Sequence, residues 1–245
     1  MMQAVILAGG LGTRLRPFTI TVPKPLLPLG DRPIVDVVLS QLSADGFTLV
    51  SMCLGYMAPV FQACLGDGSR FGIKIDYVVE DEPLGTAGAL YTVQNLHDDF
   101  LVLNGDTLTD LSFRRFLEAH QVAKVCATIF SAKVDEFIDY GVVEFDKNTQ
   151  HLTQYMEKPT RHYHVSTGIY ALSKRILQYA DFNSNGRLDM PDLIRAASNQ
   201  GCPVLCYVED KIYWRDIGRF DHYEAASKDF EEAPERFLRQ AEPAR

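Results

Sequence analysis

The chain has 245 residues, 47% hydrophobic and 23% charged, which suffices for a sizeable core and argues against wholesale disorder. Its formal charge of −8 argues against a general nucleic-acid or anionic-membrane binder, while leaving room for a local basic pocket. No apolar run approaches the ~20 residues that span a bilayer. The N-terminus lacks the basic start and long apolar stretch of a signal peptide. The expected location is the cytoplasm, with the five cysteines as buried free thiols.

The first half alternates between strands and helices. Residues 4–8 form a continuous apolar run, as in a strand buried on both faces. A glycine-rich loop follows. Ile34, Val35, Val38 and Leu42 repeat at helical spacing, with Gly46 as the stop. Residues 49–54 predict a strand, 59–65 a helix, 73–79 an alternating strand, 86–96 a helix and 100–103 a strand running into Asn104-Gly105-Asp106. In the second half, 125–130, 141–145, 168–172 and 204–208 predict strands, and 173–179, 191–198 and 220–230 predict helices. The expected fold is α/β: a Rossmann-like mixed, mostly parallel sheet flanked by helices, with a smaller β-rich lobe. Residues 1–230 read as one domain, and 231–245 as a charged tail with two prolines that frays.

The first strand runs directly into Leu7-Ala8-Gly9-Gly10-Leu11-Gly12-Thr13-Arg14-Leu15. Glycines let backbone N–H groups approach and cradle phosphate oxygens. In open α/β sheets, ligands bind beyond the carboxyl ends of the strands. The string is not a Walker loop, and Leu15 stands where a dinucleotide fingerprint has its third glycine. On the glycines alone, a tight turn serves equally well. Arg14 follows them, and Lys24 is held in Val22-Pro23-Lys24-Pro25, where two prolines stiffen the segment. A pre-organised lysine beside such a loop points to an anion.

These strings resemble the signature of the sugar-1-phosphate nucleotidyltransferases. The resemblance continues through Glu82-Pro83-Leu84-Gly85-Thr86-Ala87-Gly88, Asn104-Gly105-Asp106, Glu157-Lys158-Pro159 and Asp216-Ile217-Gly218. It covers roughly residues 3–225, and the string from Glu82 to Gly88 resembles the mannose- and heptose-1-phosphate guanylyltransferases, with uridylyltransferases acting on other sugars close to it. It implies the nucleotide-diphospho-sugar transferase type of fold. It also implies transfer of a nucleotidyl group from a triphosphate to a sugar 1-phosphate, with release of pyrophosphate. The nucleophile in that reaction is already ionised, so anion repulsion is the obstacle, and positioning and neutralisation do the work.

By resemblance, Leu7, Ala8, Gly9, Gly10, Gly12 and Thr13 hold the nucleotide, and Arg14 lies along the β- and γ-phosphates. Lys24 bridges the α-phosphate and the sugar phosphate. Asp106 and Asp216 hold one Mg²⁺, with two metal ions as the alternative. Glu80, Pro83, Gly85 and Thr86 surround the base. A carboxylate at Glu80 suits guanine N1–H and N2–H₂, but it would also accept from uracil N3–H. Glu157 and Lys158 meet the sugar 1-phosphate, with Gly141, Thr167 and Gly168 completing its pocket. Ser166-Thr167-Gly168 departs from the family's usual Asn-Ala-Gly, which leaves the sugar open. Phe137 to Tyr140 is expected to act as a flap, and Trp214 to pack under the metal loop.

Residues 181–192 carry a string that the resemblance does not explain. They place oxygen donors at positions 1, 3, 5, 9 and 12 of a calcium-type loop, with Gly186 at position 6. The plainer reading, which the sequence favours, is an Asn- and Gly-rich turn with Asp189 capping the next helix. Ca²⁺ at Asp181 to Asp192 is the alternative. The leading expectation is a guanylyltransferase of capsule or lipopolysaccharide precursors, a monomer or homodimer without nucleic-acid or membrane partners. The acyltransferase or β-helix of bifunctional relatives is not expected. Uridylyl transfer to another sugar, a non-catalytic regulatory subunit, and transfer to phosphocholine are the competing readings.

Overall fold

The computed structural model describes residues 1–10, 12–55 and 57–238. Leu11 and the end of the charged tail, 239–245, lie outside the described residues. In chain order the strands are β1 (Met2–Leu7), β2 (Pro28–Leu29), β3 (Arg32–Pro33), β4 (Phe47–Leu54), β5 (Lys74–Val79), β6 (Asp99–Asn104) and β7 (Thr107–Thr109). They continue with β8 (Ala127–Phe137), β9 (Val142–Phe145), β10 (Leu152–Met156), β11 (Thr160–Ser173), β12 (Val204–Tyr207) and β13 (Trp214–Asp216). The helices are α1 (Ile34–Ala44), α2 (Ala58–Leu65), α3 (Phe113–Ala123), α4 (Met190–Asn199), α5 (Phe220–Glu232) and α6 (Pro234–Phe237).

Seven strands form the central sheet in the order β12-β8-β11-β6-β1-β4-β5. β1 pairs in parallel with β4 and β6, and β4 with β5, while β11 runs antiparallel to both β6 and β8. This is the mixed, mostly parallel sheet that the alternation implies. Side chains of β1 leave it on alternate sides. Ala4 and Ile6 join a core containing Val35, Phe61 and Phe116 from α1, α2 and α3. Val5 joins a second core with Leu193 and Ala197 of α4. A third cluster packs Leu15, Leu29 and Ile34 against Phe230 and Phe237 of α5 and α6.

Several expectations change. Residues 86–96 are not an α-helix but a single 3₁₀ turn, Gly88–Thr92. The N–H groups of Ala87 and Gly88 both donate to the Leu188 carbonyl (2.9 Å each), which anchors the turn, while Val93 is extended and Asn95 left-handed (φ +56°), so no helix runs on to 96. β8 and β11 run well past the sheet and, with the separate β9–β10 ribbon, build the β-rich lobe. Phe137, expected in a flap, is the last residue of β8. Cys126 and Cys202 are joined in a disulfide, against the expectation of free thiols. They flank the neighbouring strands β8 and β12, where Cys126 N–H donates to Pro203 O. Among the described residues Cys53 is free and buried, while Cys64 and Cys206 are free and exposed. No described helix is long and apolar enough to cross a membrane.

Candidate active site

The carboxyl ends of the four parallel strands converge. β1 delivers the glycine loop and β6 delivers Asn104-Gly105-Asp106 beside it. Leu7 is in register with Asn104, and Gly105 N–H donates to Leu7 O (3.0 Å). Glu80 follows directly on β5, and its N–H donates to Leu54 O at the end of β4 (2.8 Å). A cavity of about 600 Å³ opens over these ends. Its lining includes Leu7, Ala8, Gly9, Gly10, Gly12, Thr13, Arg14, Glu80, Pro83, Gly85 and Thr86, together with Lys24 and Asp106. Every residue expected at the nucleotide therefore faces one cavity.

Lys24 reaches this cavity from a 3₁₀ turn, Lys24–Leu26, that Pro23 and Pro25 flank or occupy. The turn packs across the glycine loop, since a Cβ on Gly12 would meet Lys24 Cβ at 3.4 Å. The Lys24 side chain is buried, and its ammonium donates to Asp106 Oδ2. Asp216 Oδ1 lies 3.9 Å from the same nitrogen. β13 pairs antiparallel with β7, with Asp216 opposite Thr107, and this brings the second carboxylate beside Asp106. Gly218 leaves room for that carboxylate: a Cβ on it would meet Asp216 Oδ2 and push the carboxylate aside. Asp106 and Asp216 thus face one cation, Lys24, across a gap between strand ends.

A second cavity, of about 620 Å³, begins at Asp216 and runs along Trp214, Ser166, Val165 and Lys133. Trp214 lines it while packing against the main core, and its Nε1–H donates to Thr167 O (3.1 Å). Gly141, Glu157, Lys158, Thr167 and Gly168 line neither of these two cavities. Thr167 is buried, and its hydroxyl donates to Phe130 O (2.7 Å). Gly168 has φ +79° and lies against Asn104, which a Cβ would strike. Gly141, Glu157 and Lys158 form an exposed group of their own. Tyr155 OH donates to Glu157 (3.2 Å), Lys158 pairs with Asp139 (2.7 Å), and Tyr155 packs on Gly141.

Sequence reasoning missed Asn104, Arg187 and Asp189 on the lining of the first cavity. It also missed Ser166, the neighbour of the predicted Thr167, on the second. The calcium-type loop explains Arg187 and Asp189. Asn183 Oδ1 accepts from the N–H groups of Asn185 and Arg187 (3.0 Å each). Asp189 stands at the N-cap position of α4, but its carboxylate does not cap that helix. It accepts from Thr86 N–H instead (3.1 Å). The side-chain oxygens of Asn183, Asp189 and Asp192 are spent on the protein itself, and no three His, Cys, Asp or Glu side chains gather around a metal-sized site among the described residues. A thiolate nucleophile is excluded at the first cavity: burial, and then the Glu80 carboxylate, push the Cys53 thiol up to about 12.

The chain matches the nucleotidyl transferase family over residues 3–233. It is 31% identical over 234 residues to the mannose-1-phosphate guanylyltransferase of Mycobacterium tuberculosis, covering 93% of this chain and 64% of that protein. It is 34% identical over 228 residues to the mannose-1-phosphate guanyltransferase of Kluyveromyces lactis, covering 89% and 62%. The chain therefore spans less than two thirds of the length of these relatives. The solved structure of HddC from Yersinia pseudotuberculosis complexed with GMP-PN superposes with a TM-score of 0.69. That protein is 27% identical, and the match covers 94% of this chain and all of that one. A shared sheet, a glycine loop after its first strand and a match running almost end to end leave one assignment: the chain belongs to the nucleotidyl transferase family.

Proposed function

We propose that the chain transfers GMP from GTP to a sugar 1-phosphate, releasing pyrophosphate. The observation that carries this reading is the placement of Lys24, Asp106 and Asp216. Lys24 and Asp106 line the glycine-loop cavity, Asp216 lines the second, and Lys24 stands between the two carboxylates. A phosphate entering from each side would meet at that point. The names of the relatives favour guanine and mannose 1-phosphate. A heptose 1-phosphate remains the second acceptor to try.

An oxygen of the sugar phosphate attacks the α-phosphorus in line, and pyrophosphate departs. The attacking oxygen is already ionised, so no general base is needed. The residues neutralise and position. Lys24 offsets the charge of the two approaching phosphates. Arg14, exposed at the rim, takes the β- and γ-phosphates in its planar fork. Glu80 accepts from guanine N1–H and N2–H₂, while Gly9, Gly10 and Gly12 let the backbone approach. Two nearby carboxylates are a hard-oxygen donor set that fits Mg²⁺, whose remaining positions go to phosphates and water. Asp106 and Asp216 would hold the ion, which when bound neutralises charge on the reacting phosphates. Glu157, Lys158 and Gly141 approach the acceptor from the β9–β10 ribbon. Thr167 and Gly168 act indirectly, through Trp214 and Asn104.

The test is pyrophosphate release with Mg²⁺ over a grid of GTP, UTP, CTP, ATP and dTTP against sugar 1-phosphates. Turnover concentrated at GTP with mannose or heptose 1-phosphate, and abolished by Asp106→Ala, is expected. A grid without turnover, from a protein that still binds GTP, overturns the reading in favour of a regulatory binding subunit.

A further inference from the structure

The first cavity carries a third cation besides Arg14 and Lys24. Arg187 lines it from the loop before α4. Among the described residues its guanidinium makes no hydrogen bond and has no carboxylate within 4.0 Å, although Glu80 lines the same cavity. Its backbone is fixed. Arg187 N–H donates to Asn183 Oδ1, and its carbonyl accepts from Asn183 N–H (3.0 Å each).

Two hydrogen bonds tie Arg187 to the wall that holds Glu80. Leu84 N–H donates to Glu80 Oε2 (3.1 Å), and Leu84 O accepts from Leu188 N–H (2.8 Å). Gly85, at φ +84°, presses against the same loop, where a Cβ would come within 2.5 Å of Leu188 O. One wall therefore presents a carboxylate and a guanidinium that do not pair with each other. A ligand edge matching that order carries donors and then acceptors.

Guanine has such an edge: N2–H₂ and N1–H, then O6 and N7. An arginine fork takes O6 and N7 together. Adenine offers a donor, N6–H₂, where the guanidinium needs an acceptor. Uracil offers only one carbonyl there. We propose that Arg187 reads the O6–N7 edge of guanine beside Glu80 and sets the preference of this cavity for GTP. The proposal rests on the nucleotide reading of the cavity given above. The calcium-like string of the sequence is, on this view, the turn that presents Arg187.

Calorimetric binding of GTP, 7-deaza-GTP, UTP and ATP to the full chain and to Arg187→Ala and Arg187→Lys tests it. The side chain is exposed, so both variants are expected to keep the parent melting temperature. The parent should bind GTP best and lose affinity for 7-deaza-GTP, which lacks the N7 acceptor. Arg187→Ala should lower GTP affinity roughly five- to hundredfold, leave UTP affinity in place, and no longer separate GTP from 7-deaza-GTP. Lysine, a point charge, should not restore that separation. An equal loss for GTP and UTP would make Arg187 a phosphate contact and overturn the proposal, as would no loss at all. If the parent itself does not prefer GTP, the guanine reading fails first. If the parent prefers GTP and Arg187→Ala keeps that preference, only the role of Arg187 fails.

Discussion

Lys24 is a buried ammonium whose charge is tolerated because Asp106 accepts from it and Asp216 stands 3.9 Å away. Asp106→Asn keeps the shape and removes half of that compensation. Turnover should fall on the order of 10²–10³-fold, the usual loss for one preorganised charge contact at a reacting centre. Folding should weaken by about 1–3 kcal/mol, because Lys24 keeps only its more distant partner. Pyrophosphate release and urea midpoints on the same preparation check both, and an unchanged midpoint would mean that Asp216 moves in to compensate. That the glycine loop, Lys24 and Asp106 share one cavity was legible in the sequence, because each lies in a short contiguous string. Arg187 was not legible. It joins the cavity only because Leu188 bonds to Leu84, a pairing between segments far apart in the chain. Ser166 was missed for a related reason: the irregular register of β11 between Ser166 and Tyr170 decides which neighbour faces outward.

The decisive contact between elements is that between the loop 84–88 and the loop before α4. Gly85 sits at φ +84° with Leu188 O and Asp189 Oδ1 where a side chain would go, at 2.5 and 2.9 Å from an added Cβ. Gly85→Ala therefore forces backbone apart rather than bending a flexible side chain. Separating the loops would break the bonds from Ala87 and Gly88 to Leu188 and from Thr86 to Asp189. Nucleotide affinity should drop with a loss of about 1–3 kcal/mol in stability, the scale of strain at a special φ. Calorimetry with GTP and thermal unfolding would show both, and a variant that binds normally would mean that the two loops are not one unit. The helix expected at 86–96 fails because the chain leaves helical geometry at Val93 and Asn95, and the same contact anchors the short turn that remains. α3 was not predicted at all, although Phe113, Phe116, Leu117 and His120 follow helical spacing and all are buried, so its signal is local and stood in the sequence. The lengths of β8 and β11 were beyond reach, because their outer residues pair with one another rather than with a core, as Thr160 does with Phe137.

At the scale of the whole molecule, His120 is the polar group that joins the helical layer to the sheet. Its Nδ1 meets the Thr128 hydroxyl of β8 (2.9 Å) and its Nε2 meets the Ser173 hydroxyl at the end of β11 (3.2 Å). Asp99 of β6 lies 3.5 Å from Nε2. Burial is the largest influence and lowers its pKa. Asp99 opposes that, and Arg175 adds to the lowering. A histidine in the unfolded chain titrates near its ordinary value of about 6.5. As pH falls through that value, the unfolded chain takes up a proton before the folded protein does. Stability contributed by neutral His120 is therefore complete above that pH and declines below it. His120→Gln cannot titrate. It should lower stability by a fixed amount from lost packing and hydrogen bonding, while removing this part of the pH slope. Urea midpoints of parent and variant at pH 8, 7, 6 and 5 test the sign, since all other groups cancel in the difference. The gap between the two proteins should be widest at pH 8 and narrow toward pH 5. A gap that widens on acidification would mean that Asp99 prevails over burial and holds an imidazolium, so that the helical layer is clamped to the sheet by a charge pair rather than by a neutral hydrogen-bond chain.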